Sequence, residues 1–232
     1  IQTLEPGLAE DFTEATYLSE EAWLDPQQVM PVLAGYLQQQ NITWHAGVEI
    51  IECAPHYLSS DSQRYDFDWV IDCRGLGAKP EWNELRGVRG ELIWLEAPEV
   101  EIKHLIRLMH PRYRLYVVPK MYGNLFVIGA TQIESDDTGA ITVRSMLELL
   151  SAAYSLHPGF SEARVVDMKT NCRPALNDNL PRIKTEEGLI RVNGLYRHGF
   201  LLAPVLAREI AQWLIEEGSY RSSYRELFLQ AA

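Results

Sequence analysis

Residues 193–204 read Asn193-Gly-Leu-Tyr-Arg-His-Gly-Phe-Leu-Leu-Ala-Pro204. An apolar, strand-like run, 188–192, leads in, and a helical pattern, 205–215, leads out. Gly194 and Gly199 bracket an Arg and a His. Glycine lets a backbone turn tightly and approach a ligand closely. Pro204 suits the first turn of a helix, where its missing N–H costs nothing. A helix start offers unpaired N–H groups and partial positive charge to an anion. The segment therefore predicts strand, ligand loop, helix. The plainer alternative is an ordinary strand-to-helix turn carrying a solvated Arg.

Working outward, Asn171-Cys-Arg-Pro-Ala-Leu-Asn-Asp-Asn-Leu-Pro181 sets an Arg before a rigid Pro and a polar turn. Trp69-Val-Ile-Asp-Cys73 is a short apolar run that ends in Arg74-Gly-Leu-Gly77. It reads as a buried parallel strand feeding a glycine turn, or as a plain strand end. From 88 to 128 the pattern changes to strands over 92–95, 102–109, 113–118 and 125–128 with short connections. Close successive strands favour antiparallel pairing. His104 is expected on the surface of that sheet. Faces alternate along a strand, so Tyr116 and Gln132 share one only if Tyr116 pairs with an even-numbered residue or a bulge intervenes.

The other segments fill in the frame. Asp25-Pro26 is a helix-start signal, but Pro31 lies inside the apolar pattern, so the helix is expected from near Met30 to about Gln40. Strands are expected over 43–45 and 48–53, followed by a polar loop at 55–63. Glu134-Ser-Asp-Asp137 reads as a solvated acidic turn. A helix follows over 143–154, stopped by Pro158-Gly159, then a strand over 163–169. The last helix buries Leu206, Ile210, Trp213 and Leu214 and is expected to end at Gly218.

Composition narrows the class. The 232 residues, 47% hydrophobic and 23% charged, suit a soluble globular protein with one large domain or two smaller ones. No apolar run reaches the ~18 residues of a spanning helix, which argues against a membrane. A net charge of −11 argues against a nucleic-acid partner. Cys53, Cys73 and Cys172 form no C-x-x-C, and the six histidines show no H-x-x-x-H spacing. The cysteines read as reduced, buried thiols of a cytoplasmic protein, and no metal site is expected. No Ser-His-Asp order, nucleophile elbow or paired-carboxylate motif is present, so no side chain is assigned as catalytic acid or base.

Five motifs in order carry a resemblance. They are the two stretches at 193–204 and 171–181, Leu108-Met-His-Pro-Arg112, Ile128-Gly-Ala-Thr-Gln-Ile-Glu-Ser-Asp-Asp137, and Leu149-Leu-Ser-Ala-Ala-Tyr-Ser-Leu-His-Pro-Gly-Phe160. Together they resemble the FAD-dependent D-amino-acid-oxidase superfamily, and within it the glycine-oxidase subgroup of thiamin biosynthesis. The resemblance covers most of the chain and is strongest over 88–207. It implies an α/β (α+β overall) fold, with a Rossmann-like FAD-binding domain, 23–83 and 172–232, interleaved with an antiparallel-sheet substrate domain, 1–22 and 84–171. That family's first βαβ unit, with its Gly-x-Gly-x-x-Gly fingerprint, is expected before Ile1, because Ile1-Gln-Thr-Leu-Glu-Pro reads as mid-domain sequence. Gly75-Leu-Gly77-Ala-Lys-Pro lacks the third glycine and does not supply it.

The resemblance also implies the chemistry. FAD accepts a hydride from the Cα of a small amino acid, the imine hydrolyses to a 2-oxo acid and ammonia, and molecular oxygen yields hydrogen peroxide. Silence on acid–base motifs fits a cofactor that carries the hard step. Arg173 matches the family's carboxylate-binding Arg, where a guanidinium fork suits a carboxylate. The alternative pairs it with a carboxylate such as Asp178. Arg197 matches a second substrate position, or is a surface Arg. Tyr116 and Gln132 match pocket walls, and Gln132 stands where relatives carry Met, which leaves the substrate open. Val48, Gly75 and the run Leu195, Tyr196, Arg197, His198, Gly199, Phe200 and Leu201 match FAD contacts made largely by backbone. A homo-oligomer is implied as well. Competing readings are a sarcosine or proline-type amine oxidase, and a non-enzymatic fragment without the flavin fingerprint.

Overall fold

The computed structural model describes residues 1–111, 114–121, 123–216 and 222–230. In chain order its elements are α1 (Pro26–Gln39), β1 (Glu52–Ala54), β2 (Tyr57–Ser59), β3 (Arg64–Asp66), β4 (Val70–Asp72), β5 (Arg86–Glu96), β6 (Ile106–Met109), β7 (Arg114–Pro119), β8 (Leu125–Gly129), β9 (Ile133–Glu134), α2 (Val143–Leu156), β10 (Arg164–Ala175), β11 (Arg182–Glu186), β12 (Leu189–Asn193), α3 (Gly199–Ile215) and β13 (Phe228–Gln230). The chain divides into two compact units. Unit one comprises 1–46, 90–132 and 139–170; unit two comprises 47–89, 133–138 and 171–232. These limits differ from those read in the sequence chiefly in setting α1 within unit one.

Unit one is organised by β5, β8, β7 and β6, neighbours in that order and antiparallel throughout. Period-two burial follows from the pleat. Ile93 and Leu95 of β5 are 0% and 1% exposed, whereas Leu92 and Trp94 are half-buried on the other face. Ile128 of β8 and Val117 of β7 pair with each other and extend the same core. The helix α2 closes that core with Leu149, Ala152, Ala153 and Leu156, spaced for one helical face. Each fully buried Leu or Ile contributes roughly 1.5–3 kcal/mol. Thr142 caps α2 by accepting from Ser145 N at 3.2 Å, a contribution of about 1 kcal/mol. Phe126 and Phe160 meet edge to face at 5.4 Å.

Unit two holds a small sheet in the order β13, β11, β12, β4. The central hairpin β11–β12 is antiparallel, and β4 and β13 each add in parallel. Ile183, Ile190 and Val192 from the hairpin bury against Leu206 and Ile210 of α3. A second sheet, β1-β2-β3, is a meander of three-residue strands. Trp69 and Trp213 form a T-shaped pair at 5.3 Å.

Several expectations change. The helix α1 starts at Pro26, capped by Asp25 through Gln27 N at 3.1 Å, and carries Pro31 internally. One turn of lost backbone bonding near its start does not prevent the helix. No strand forms at 43–45, and the polar loop at 55–63 is instead the β1–β2 hairpin continued toward β3. His104 precedes β6 and points its Nδ1 at Glu5 Oε1, 2.6 Å away, instead of standing on a sheet face. Cys73 is exposed, unlike Cys53 and Cys172. The helix α3 begins at Gly199, so Pro204 lies inside it and not at its first turn. Arg112, Tyr113 and the expected stop at Gly218 lie outside the described residues.

Candidate functional site

In unit two, β4 and β12 run parallel with Asp72 paired to Arg191, so their C-terminal ends emerge side by side. Ligands of open α/β sheets bind beyond such ends. Each end turns at a glycine with positive φ, +60° at Gly75 and +80° at Gly194, a conformation that favours glycine. A Cβ on Gly194 would lie 2.9 Å from Leu176 and 3.1 Å from Leu180 O. Asn193, 2% exposed, ties the two turns: its Nδ2 donates to Gly75 O at 2.8 Å, and its Oδ1 accepts from Gly194 N at 2.9 Å.

The same turns meet β10. Tyr196 N donates to Pro174 O at 3.0 Å, and a Cβ on Gly75 would touch the Pro174 ring at 3.6 Å. Arg173, the residue before this proline, is half-buried and donates from Nη1 to Val88 O at 3.5 Å. Gly75, Arg173 and the start of the 195–201 run thus converge on Pro174. Asp178 pairs with Arg182, i to i+4. Further along the run, Arg197 and His198 are exposed, as are Phe200 and Leu201. Val48 is half-buried and lies outside regular structure.

A buried charge cluster stands at the foot of these strands. Asp72, 3% exposed, accepts from Arg74 N, Nε and Nη2 at 3.0, 3.0 and 2.9 Å. Arg191 Nε lies 3.8 Å from the same carboxylate, while its Nη2 donates to Cys53 O at 2.9 Å. Burial alone would raise the Asp72 pKa, but the Arg74 hydrogen bonds and charge outweigh it and hold the carboxyl below its ordinary value. Burial, with Asp72 nearby, pushes the Cys53 thiol up to about 11, so it stays protonated at neutral pH. The cluster fixes Arg74, and with it the entry into the Gly75 turn.

Tyr116 and Gln132 belong to unit one. Tyr116 pairs with Gly129, which pairs with Leu92. All three therefore share the face opposite the α2 core. A Cβ on Gly129 would sit 2.7 Å from the Tyr116 hydroxyl and 2.8 Å from its ring, so this glycine makes room for the phenol. The partner strand then gains one residue: Arg89 pairs with Ile133 and Leu92 with Gly129, so two residues of β5 face three, 130–132. That is a bulge, the condition under which an even-numbered Gln132 recovers the face of Tyr116. Gln132 itself is exposed. Beside it, Thr131 Oγ1 donates to the buried carboxylate of Glu91 at 2.9 Å.

Sequence reading missed Asn193, Gly129 and Asp72 as site-building residues. The only signal for Asn193 was its place immediately before a glycine turn. Gly129 ends an apolar run, where glycine often marks a bulge or a close approach. Asp72 was visible as an acid ending a buried strand, a position that demands a partner.

Residues 1–213 match the family described as FAD dependent oxidoreductase. The chain belongs to that family. It is 46% identical over 217 residues to a Rhizobium etli protein provisionally named thiamine biosynthesis oxidoreductase ThiO, covering 94% of this chain and 63% of that one. It is 27% identical over 240 residues to the bifunctional protein ThiO/ThiG of Trichormus variabilis, covering 94% and 35%. Its fold matches that of glycine oxidase from Geobacillus kaustophilus with a TM-score of 0.85 at 22% identity, over 100% of this chain and 65% of that one. The chain therefore spans just under two thirds of the length of the first relatives it matches. The oxidoreductase family's fold accounts for the mixed α/β architecture with antiparallel sheets.

Proposed function

We propose that this chain forms most of an FAD-dependent amine oxidase that converts glycine, and other small amines, to the 2-oxo acid, ammonia and hydrogen peroxide, in supply of thiazole assembly for thiamin. The observation that carries the reading is the convergence of Gly75, Asn193–Gly194 and Arg173–Pro174 at the C-terminal ends of β4 and β12. The relatives' names support it. Two glycine turns at positive φ, held together by a buried Asn, sit at the C-terminal ends of two parallel strands, and this fits an extended dinucleotide cofactor. In this reading 23–83 and 172–232 form the FAD-binding part and 1–22 and 84–171 the substrate part.

When bound, FAD supplies the acceptor for a hydride from the substrate Cα and passes the electrons to oxygen. The chain does the rest by position and field. Val48, Gly75 and the backbone of 195–201 hold the cofactor, and the N-terminus of α3 at Gly199 favours negative charge there. The Arg173 guanidinium grips the substrate carboxylate bidentately, and this sets the amine and Cα. Arg197 orients, and Tyr116 and Gln132 of unit one keep, as a proposal, the substrate-contact role that the resemblance implies. The protein works in the cytosol as a homo-oligomer, with its three cysteines reduced. Among the described residues no helix is long and apolar enough to cross a membrane.

The test is peroxide release by full-length, flavin-loaded protein with glycine, sarcosine, D-proline and a carboxylate-free amine. Glycine should give the highest kcat/KM. Preference for sarcosine or proline would move the substrate assignment to those amines. A yellow protein that releases no peroxide from any of them would end the oxidase reading.

A further inference from the structure

The carboxylates of the acidic turn at 134–137 are exposed, with side chains 67%, 50% and 66% accessible at Glu134, Asp136 and Asp137, yet none stands alone. Each carboxylate has a cationic partner: Glu134 with Arg86, Asp136 with Lys79, and Asp137 with Arg89. Ser135 N donates to Gly87 O at 3.1 Å, and a Cβ on Gly87 would collide with Asp136 and lie 2.9 Å from Ser135 O. Arg89, with its side chain 3% exposed, gives Nη1 to Asp137 O at 2.7 Å and to Asp137 Oδ2 at 2.8 Å. The turn is therefore seated on β5 between Gly87 and Arg89. From its other side, the buried thiol of Cys172 donates to Ser135 O and Asp137 O, both at 3.3 Å.

We propose that Cys172, the turn 135–137 and Arg89 form a strut that sets the position of Arg173. Cys172 and Arg173 are consecutive on β10, so their side chains leave opposite faces. One fastens to the turn; the other reaches Val88 O, between the two β5 residues that seat the turn. This stretch of β10 is thus held on one face directly at Val88 O and on the other through the turn that Gly87 and Arg89 seat. A binding group must be kept within about half an ångström of its productive place by such support. Cys172 is a positioning residue here, acting through Arg173. The inference rests on Arg173 being the carboxylate anchor.

The experiment compares full-length, flavin-loaded Cys172→Ala, Cys172→Ser and Gly87→Ala, with Cys172→Ala also made in an Arg173→Ala background. The substrates are glycine and a carboxylate-free amine. Cys172→Ala should raise KM for glycine roughly tenfold, below the loss that a full ångström of misplacement brings, with kcat within about twofold. Cys172→Ser, which keeps an O–H donor, should restore KM. Gly87→Ala, which pushes the turn without touching β10, should raise KM as Cys172→Ala does. Turnover of the carboxylate-free amine should not change, and Cys172→Ala should add nothing once Arg173 is gone. If Arg173→Ala raises KM but Cys172→Ala does not, or if its effect persists in the Arg173→Ala background, the strut is wrong while the anchor stands. A normal KM in Arg173→Ala alone would remove the anchor and the strut together.

Discussion

Arg173 lies within β10, half-buried, between a buried thiol and a proline, and reaches a carbonyl of β5. Arg197 lies exposed in the turn between β12 and α3, after a Tyr196 of φ +50° and before an N-cap, His198, that makes no side-chain cap bond. Both residues are proposed to contact the substrate, yet the fold fastens one and leaves the other exposed. The β10 segment is held through its own side chains, Arg173 on the Val88 carbonyl of β5 and Cys172 on carbonyls of the turn 135–137. The β12–α3 turn is held at its foot, by Asp72 below and Asn193 at the glycine, and its tip at Arg197 and His198 is exposed. A fixed guanidinium suits an anchor, whereas an exposed one suits a group that orients after binding.

The largest expected effect lies at that foot. Asp72→Asn removes the carboxylate facing Arg74 and Arg191 in a buried setting. Breaking such a pair should cost about 3–5 kcal/mol, read as a shift in the denaturant midpoint of the full-length protein. The pH dependence has a definite sign. The folded Asp72 carboxyl is held below its ordinary value, so its contribution is complete above the unfolded pKa of about 3.9 and is lost as pH falls through the folded value. Wild type should therefore lose stability steeply below about pH 4, and Asp72→Asn should show a flatter profile in that range.

Next comes Asn193→Ala, which leaves Gly75 O and Gly194 N without their partner. The cost should be about 1–3 kcal/mol. If the turn is held at its foot, FAD retention on dilution should fall in this variant. Unchanged FAD release would mean that the two glycine turns are fixed by something other than Asn193.

How much of this was legible follows the range of the interactions. Strands β4, β12, β7 and β8 were readable because apolar runs bounded by glycine or turn residues are local signals. The β1–β2 hairpin was not, because strands of three residues carry no alternation to detect. The pairing of Glu134, Asp136 and Asp137 was not either, since their partners lie about fifty residues away in the sequence and an acidic tetrapeptide reads as solvated. The start of α3 was misjudged because Gly199 was taken as a loop residue and Pro204 as a helix opener.

A smaller effect is expected at Arg197. Arg197→Ala should change stability by no more than about 0.5 kcal/mol, as for an exposed side chain without fixed partners among the described residues. Its KM for glycine should rise less than that of any Arg173 variant, with kcat reduced. A larger KM effect than at Arg173 would invert the comparison.

The most direct measurement is the KM for glycine of full-length Arg173→Ala, with flavin content determined on the same sample. Losing a charged hydrogen-bonded partner should cost about 3 kcal/mol, so KM should rise on the order of a hundredfold. FAD should stay bound, turnover of a carboxylate-free amine should be spared, and Arg173→Lys should recover little because a point charge lacks the fork. A near-normal KM, or an equal loss on the carboxylate-free amine, would contradict the assignment of Arg173 as the anchor.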